Sequence, residues 1–556
     1  LFPVISIALC LSWIVSVMVA PLLGYYLIRV KVKTDENGKI NPYQSKFYML
    51  FRKVLIWCLE HKKLIIGSTV CVFAISVFCM KFIRQEFFPP SLRPEIIVEM
   101  QLPEGSSLKS SETSANKFAA FLNTKTDEIK NFSYYVGEGA PRFVLTFDPT
   151  LPSDNYCQFV VVSKDVDSRK KLTDEIKKEL ADNYPNVRSN IKFIQTGPPA
   201  DYPIMLRVSG YDEDKVRDIA NQVSDVVASD SNNEDVHFDW NEKSKTMHLA
   251  LDQDKLRAMG ISGQSVAQML YTEISGASAA QYYTGDRTID IMLRLKNTDR
   301  QNLDDIKNIP IYLGSAGYVP LEQIAKISYD AEDGLIWRRN LKPTITVEAN
   351  IKDGTANDAT QKAYDATKSI RDALPLGYSI DVGGALSDSH DSIQFLLVPI
   401  PAMIFIIMTL LMLQLRSGKL MLLTMLTAPL GLIGVCFGML LLDKAMGFVA
   451  QLGILALSGM IIRNSVILID QIQKHLADGE TPWDAIIDSA VLRFRPIMLT
   501  AAAAILGMMP LMPSTFWGPM AVAIMGGLFI ATVLTLLFLP ALYAAWFRIQ
   551  RPPVND

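Results

Sequence analysis

The residue in this sequence that most invites chemistry is an arginine well inside an otherwise apolar run. The run reads LGILALSGMIIRNSVILIDQ, with Arg463 and Asn464 well inside it and Asp470 seven residues beyond Arg463. At helical spacing Arg463 and Asp470 share a face near one end of the run. A charged group at bilayer depth costs ~2.5–3.5 kcal/mol or more, so it needs an explanation. Arg463 either reaches the aqueous boundary or Asp470 along its own helix, or it awaits a carboxylate from another helix. The next run, RFRPIMLTAAAAILGMMP, places Arg493, Ile497 and Thr500 at i, i+4 and i+7, on one face. Thr500 either caps a carbonyl of its own helix or joins Arg463 in a polar cluster. The chemistry this suggests is a proton relay, which needs a titrating acid within the bilayer. Mid-depth positions of the apolar runs hold no Asp or Glu, so Arg463 reads as half of a pair whose acid lies in sequence outside this chain.

Other chemistries have little footing. His61, His237, His248, His390 and His475 lack metal-ligand spacing, and no metal site or cofactor is expected. Five of the six cysteines lie in or beside apolar runs and only Cys157 in a polar stretch, so there is no disulfide framework. No nucleophile elbow, P-loop, HExxH or dinucleotide fingerprint is present, so the chain reads as no enzyme. GEGAP (137–141) leads towards an apparent strand, FVLTFD, rather than a helix. Asp304-Asp305 reads as a solvated helix start.

The elements that must position Arg463 are membrane helices. Seven apolar runs, at roughly 4–28, 63–83, 393–414, 419–441, 446–470, 496–514 and 518–546, each approach the ~20 residues a span needs. Lysines and arginines gather in alternate links: Arg29 to Lys62, Arg416 with Lys419, Lys474 with Arg493 and Arg495, then Arg548 with Arg551. That places these links on the cytoplasmic side. Residues 43–61, rich in Tyr, Phe, Trp, Lys and Arg, suit a helix lying in the inner interface or packed on its own protein.

About 310 residues between the second and third runs fall outside the cytoplasm by the same parity. They show four strand–helix–strand patterns, beginning at EIIVEMQL, CQFVVVSK, IMLRVSG and TITVEANI. Repeats of this kind pair into split βαβ sandwiches like the ferredoxin-like fold. Residues 246–335 interrupt the last two patterns and read as an inserted subdomain. The fold class is therefore an α+β membrane protein: a transmembrane helix bundle with a large domain outside the cytoplasm, built of ferredoxin-like split βαβ units and an inserted subdomain. Composition agrees. In 556 residues, 20% charged side chains coexist with a mean hydropathy of +0.20, so charge and apolarity are segregated. A net charge of −3 argues against a nucleic-acid partner. The sequence opens at Leu1 directly into an apolar run, with no basic n-region or cleavage site, and reads as a fragment starting in or before a span.

The order of one span, a basic linker, one span, a long outer segment and five spans resembles the C-terminal half of a resistance–nodulation–division (RND) permease of the hydrophobe/amphiphile efflux branch. The motifs that carry this resemblance are SGMIIRNSVILID (458–470), RFRPIMLTAAAAILGMMPL (493–511), FFPPSLRPEIIVEMQLPEG (87–105) and LDQDKLRAMGIS (251–262). It implies a transmembrane helix at 1–28, a cytoplasmic linker with interfacial helix at 29–62 and a second span at 63–84. Porter subdomains of a periplasmic domain follow at 88–202 and at 203–245 with 336–388, then a funnel or docking subdomain at 246–335. A five-helix bundle at 393–546 and a cytoplasmic tail at 547–556 complete the chain. It further implies a proton/drug antiporter of the Gram-negative inner membrane. Its partners would be the N-terminal half of the permease, a homotrimer, a periplasmic adaptor, an outer-membrane channel, amphiphilic drugs and the lipid bilayer. Arg463 matches the position of the family's relay lysine, and as an arginine it does not readily release a proton. Arg493 and Thr500 match relay residues of the next span, with Asn464 beside Arg463. Residues 134–155 match the family's glycine-rich switch loop, which makes Tyr135, Phe143 and Phe147 candidates for a substrate pocket. Heavy-metal efflux, and a membrane-anchored sensing or partner-binding ectodomain with no transport, are the alternatives.

Overall fold

The structure is a computed structural model of the chain and describes residues 2–27, 46–89, 91–198, 200–296, 303–313 and 317–552. It divides into two compact units, Leu1–Arg84 with Phe395–Asp556, and Gln85–Gln394.

The first unit opens with α1 (Phe2–Leu27), whose side chains from Ile7 to Tyr26 are almost all exposed. Helix α2 (Lys46–Glu60) turns Leu55, Cys58 and Leu59 inward and Met49, Leu50, Val54 and Trp57 outward. Its inner face packs on the protein, with Leu55 and Leu59 in one cluster with Leu468, Trp483 and Ile486. Two of its charged side chains are paired, Arg52 with Asp488 at 3.3 Å and Glu60 with Arg551 at 2.6 Å. Residues 43–45 and the rest of the preceding linker, with Arg29, Lys31, Lys33 and Lys39, lie outside the described residues. Helix α3 (Lys62–Cys79) follows.

The second unit begins with β1 (Glu95–Gln101), α4 (Leu108–Asn123), β2 (Ile129–Val136), β3 (Tyr156–Ser163), α5 (Val166–Asn183) and β4 (Arg188–Phe193). Its sheet is antiparallel in the order β2-β3-β1-β4. Period-2 alternation explains the layering: Ile96, Val98 and Met100 of β1 pack against the helices with Phe118 and Ile176, while Ile97, Glu99 and Gln101 face away. Ser107 and Asp165 cap the two helices by accepting from Ser110 and Ser168 backbone N–H groups.

Strand β5 (Ile204–Ser209), α6 (Glu213–Ala228) and β6 (Asn233–Phe238) start the next sheet. The chain then runs through β7 (Ser244–Leu251), α7 (Gln253–Ala258), α8 (Gly263–Ile274), β8 (Ala277–Thr284), β9 (Arg287–Leu293), α9 (Leu303–Ile306), β10 (Pro310–Tyr312), β11 (Tyr318–Pro320), α10 (Leu321–Ile324) and β12 (Ala325–Glu332). Antiparallel pairing of β7 with β12 brings the two ends of this excursion together around its own core of Leu256, Val266, Ile311 and Leu321. Asp304 sits at the start of α9 and pairs with Lys307 at 2.9 Å. Strands β13 (Arg338–Arg339) and β14 (Lys342–Ile351), helices α11 (Ala356–Ala366) and α12 (Lys368–Asp372), and β15 (Ser379–Val382) return to the sheet. Strand β14 pairs with β6, β5 and β13, and β5 pairs with β15, so the second sheet repeats the order of the first.

One sequence expectation fails here. FVLTFD (143–148) is no strand; residues 137–155 form an irregular loop between β2 and β3. Both sides of β3 are already taken by β1 and β2, and Pro141, Pro149 and Pro152 remove ladder donors from the loop.

The remaining helices are α13 (Gly384–Leu397), α14 (Ile400–Leu415), α15 (Gly418–Met425), α16 (Leu432–Leu441), α17 (Phe448–Ala477), α18 (Pro482–Met508) and α19 (Gly518–Trp546). Among the described residues, seven helical segments are long and apolar enough to cross a membrane. The run at 419–441 is broken between α15 and α16 by a 3-10 turn, Ala428–Gly431, that contains Pro429. Helices α16 and α17 both pack on α19, and α18 packs on α17 and α19.

Candidate functional site

Helix α17 buries Leu457, Ile461, Asn464, Ser465, Leu468, Ile469 and Ile472. The spacing of three and four residues marks one helix face turned into the bundle. Ala456, Gly459, Arg463 and Ile467 form the exposed stripe on the opposite side. Arg463 therefore projects from a stripe of small and apolar residues, and among the described residues it has no salt bridge. Asp470 does not serve it: its carboxylate pairs with Lys474 at 2.8 Å.

Asn464 is turned the other way, 5% exposed within the bundle. Beside it, Ser465 and Thr427 share a buried hydroxyl–hydroxyl bond of 2.9 Å, and the Thr427 hydroxyl lies 2.7 Å from the Thr424 carbonyl. Sequence reading missed this pair. The available signal was the TAP triplet (427–429), a hydroxyl and a proline where the fourth apolar run should be continuous. Arg493 donates to the Gln471 amide oxygen at 2.7 Å, which joins α18 to α17 one residue past Asp470. Thr500 donates to the Ile497 carbonyl of its own helix at 3.0 Å. The structure thus joins α17 to α18 through Arg493, leaves Arg463 facing outward, and satisfies Thr500 locally.

The second candidate site is the loop between β2 and β3. Phe147, 5% exposed, packs with Ala140 on Ile97, Val160 and Ile194, which line the sheet face that carries no helices. Tyr135 and Val144 border the same cluster. Phe143 is 46% exposed, and its ring centroid lies 5.0 Å from that of Phe147. The loop is closed by an Arg142–Asp148 ion pair and by a Ser153 N–H that donates to the Gly137 carbonyl at 2.9 Å. Gly137 adopts a φ of +80° at the exit from β2, a conformation that favours glycine. Of the three aromatic candidates, Phe147 is a buried anchor, Tyr135 borders that anchor, and Phe143 is half exposed.

Polar groups of the same sheet face form a network. Glu99 accepts from Tyr156, Gln158 and Asn190 and pairs with Lys192. On the second sheet, His237 lies between Glu348, 3.4 Å from Nε2, and Asp235, 3.6 Å from Nδ1. Burial holds the Asp235 carboxyl above its usual range against the pull of His237 and Arg188. Burial likewise pushes Asp239 up to about 7, although its carboxylate accepts the Thr346 N–H at 2.8 Å. Among the described residues no three His, Cys, Asp or Glu side chains converge as a metal-ligand set.

Comparison with known proteins places these features. The sequence profile of the AcrB/AcrD/AcrF family matches residues 2–546. The nickel-cobalt-cadmium resistance protein NccA of Alcaligenes xylosoxydans xylosoxydans is 25% identical over 98% of this chain and 52% of its own. The nickel and cobalt resistance protein CnrA of Cupriavidus metallidurans is 26% identical over 97% of this chain and 51% of its own. This chain therefore spans about half the length of the curated relatives it matches. A crystal structure of a heavy metal efflux pump superposes with a TM-score of 0.74 at 21% identity, covering 90% of this chain and 53% of that one. The likeness to that pump is one of fold. The chain belongs to the AcrB/AcrD/AcrF family of RND-superfamily permeases, multi-pass inner-membrane transport proteins with a large periplasmic domain.

Proposed function

We propose that this chain is the C-terminal half of a proton-motive-force-driven RND efflux permease, and that its cargo is metal cations. The observation that carries the coupling is Arg463, a cation on an exposed small-residue stripe of a membrane helix, with no carboxylate partner among the described residues. Such a charge is tolerable only when paired or hydrated. Its partner is an acid of the other half of the permease. Protonation of that acid releases the contact and lets the helices shift, while Arg463 stays charged. Arg493 braces α18 against α17 through Gln471, while Asn464 is buried in the bundle and Thr500 bonds within its own helix. The assembled pump is a homotrimer that works with a periplasmic adaptor and an outer-membrane channel.

The choice of cargo rests on the relatives. Proteins named for nickel, cobalt and cadmium resistance align over 97–98% of the chain. They weigh for metal cations over the amphiphilic drugs that the sequence motifs suggested. A second reading keeps amphiphiles as cargo. It is favoured by the half-exposed ring of Phe143 and by the lack of a three-ligand cluster among the described residues.

The test is growth of a strain deleted for its RND permeases and carrying the complete permease with its adaptor and channel. Raised resistance to nickel, cobalt or cadmium ions, lost in Arg463→Ala, supports the first reading. Resistance to amphiphilic dyes alone supports the second. Resistance conferred by this chain without the other half overturns the half-permease reading.

A further inference from the structure

The loop between β2 and β3 is fastened to its sheet by a polar chain with a single hub. Glu99 stands on the face of β1 that carries no helices, with its side chain 13% exposed. Its Oε1 accepts from Gln158 Nε2 at 3.0 Å and from the Tyr156 hydroxyl at 3.0 Å, and lies 2.7 Å from Lys192 Nζ. Oε2 accepts from Asn190 at 3.3 Å. Each of the first two donors continues into the loop. Buried Gln158 accepts the Ala140 N–H at 2.8 Å, and the Tyr156 hydroxyl lies 3.1 Å from the Thr150 hydroxyl. Between these points, a Cβ on Gly139 would stand 3.0 Å from Thr150 N and 3.3 Å from Gln158 Oε1, so the loop closes tightly at that glycine. In the other direction Lys192 also reaches Asp201 at 3.0 Å, in the segment that joins β4 to β5 and hence the first sheet to the second.

Two members of this network are held in one protonation state, Lys192 and Tyr156. Burial opposes the Lys192 ammonium, but Glu99 and Asp201 outweigh it and raise Lys192 above an ordinary lysine. Burial, and then the charge of Glu99, keeps the Tyr156 phenol protonated. Tyr156 therefore donates to Glu99, and Thr150 donates to Tyr156. A buried carboxylate with four partners is stable as a set, and losing one partner leaves the others under-satisfied.

We propose that Glu99 is a positioning residue: through Gln158 and Tyr156 it fastens the loop at Ala140 and Thr150, and through Lys192 it ties the loop, and with it Phe143, to Asp201 between the two sheets. This rests on the reading of the loop as part of the cargo path. Movement of the Asp201 segment then loosens Lys192, Glu99 and the loop in turn. The anchor under Phe147 stays in place, so the exposed ring of Phe143 moves relative to the sheet.

The test is amide hydrogen exchange on the complete permease in lipid nanodiscs, alongside resistance to nickel ions and to ethidium. Gln158→Leu should raise exchange over residues 138–150 by about tenfold and leave α5 unchanged. It should also shift the ratio of nickel to ethidium resistance at equal protein level. Lys192→Met, which removes the link between Glu99 and Asp201, should loosen the same residues to a smaller extent. Unchanged loop exchange in Gln158→Leu, or an equal rise in α5, overturns the fastening. A loop unaffected by Lys192→Met overturns the tie to Asp201. If the loop loosens and the ratio stays fixed, Glu99 does not position anything that contacts cargo. Exchange needs no cargo, so it decides the fastening even where the wild-type permease exports neither compound and the transport reading has failed.

Discussion

Asp470 and Lys474 face each other across one turn of α17, 2.8 Å apart, and that pair removes the carboxylate nearest in sequence to Arg463. Exposed i,i+4 pairs contribute only ~0.3–0.5 kcal/mol. Asp470→Asn should therefore leave efflux by the complete permease close to wild type. Arg463→Ala should abolish efflux at unchanged protein level, because the acid of the other half loses its counter-charge. Arg463→Lys should retain substantial activity, since it keeps the positive charge that the mechanism needs. Resistance assays on the three variants, with membrane protein quantified by immunoblot, check the set. Near-normal efflux in Arg463→Ala would reduce the residue to a boundary anchor.

Phe143 and Phe147 should part company under mutation, although they occupy one loop and their rings touch. Phe147→Ala opens a cavity under the loop, a change that typically costs ~3–5 kcal/mol when the ring is buried. It should lower resistance to every exported compound or deplete the protein. Phe143→Ala removes a half-exposed ring and should alter some compounds and spare others. A panel scored at matched protein level separates the two, and identical profiles would show that Phe143 too is only packing.

Much of this was legible in the chain. The four strand–helix–strand patterns follow from alternation such as Ile96, Val98 and Met100 against Ile97, Glu99 and Gln101, which is written in the residues themselves. The loop misled because Phe143, Val144, Leu145 and Phe147 mimic strand composition. Val144 and Phe147 in fact cover a sheet face, and Leu145 is 84% exposed. A one-dimensional pattern does not say whether apolar residues join a ladder or lie across one. Arg463 was legible as a charge in an apolar run, but its direction, away from Asn464, emerged only once α18 and α19 were seen to occupy the other side of α17. The Thr427–Ser465 bond joins residues 38 apart and leaves no periodic trace.

Asp239 should give the periplasmic unit a particular dependence on pH. Its folded carboxyl titrates near 7, raised chiefly by burial and further by Glu348, whereas an unfolded aspartate titrates near ~4. Between those values the folded form holds a proton that the unfolded form has released, so stability falls as pH rises through the window. Asp239→Asn keeps an acceptor for the Thr346 N–H and removes the titration. The variant should lose part of the decline that wild type shows between pH 5 and 8, and should match or exceed wild type at the upper end. Thermal unfolding of the complete permease at several pH values reads this directly, and parallel curves for the two proteins would rule Asp239 out as the source.

Two glycines of the membrane unit should answer differently to the same enlargement. Gly434 on α16 lies against α19: a Cβ there would fall 2.1 Å from the Gly526 carbonyl oxygen and 2.8 Å from Gly527 Cα. Neither neighbour has a side chain that can move aside, so Gly434→Val must push the two helix backbones apart. It should leave little folded protein in the membrane. Gly459 lies on the exposed stripe of α17, one turn from Arg463, with nothing within 4 Å of the added atom. Gly459→Val should therefore fold normally within this half. If the stripe seats a helix of the other half against Arg463, the added side chain will hold that helix away. With the two halves expressed as separate chains, they should then co-purify poorly and efflux should fall. Normal co-purification and normal efflux in Gly459→Val would mean that lipid, not a partner helix, covers the stripe, and the proposed acid would have to reach Arg463 by another route.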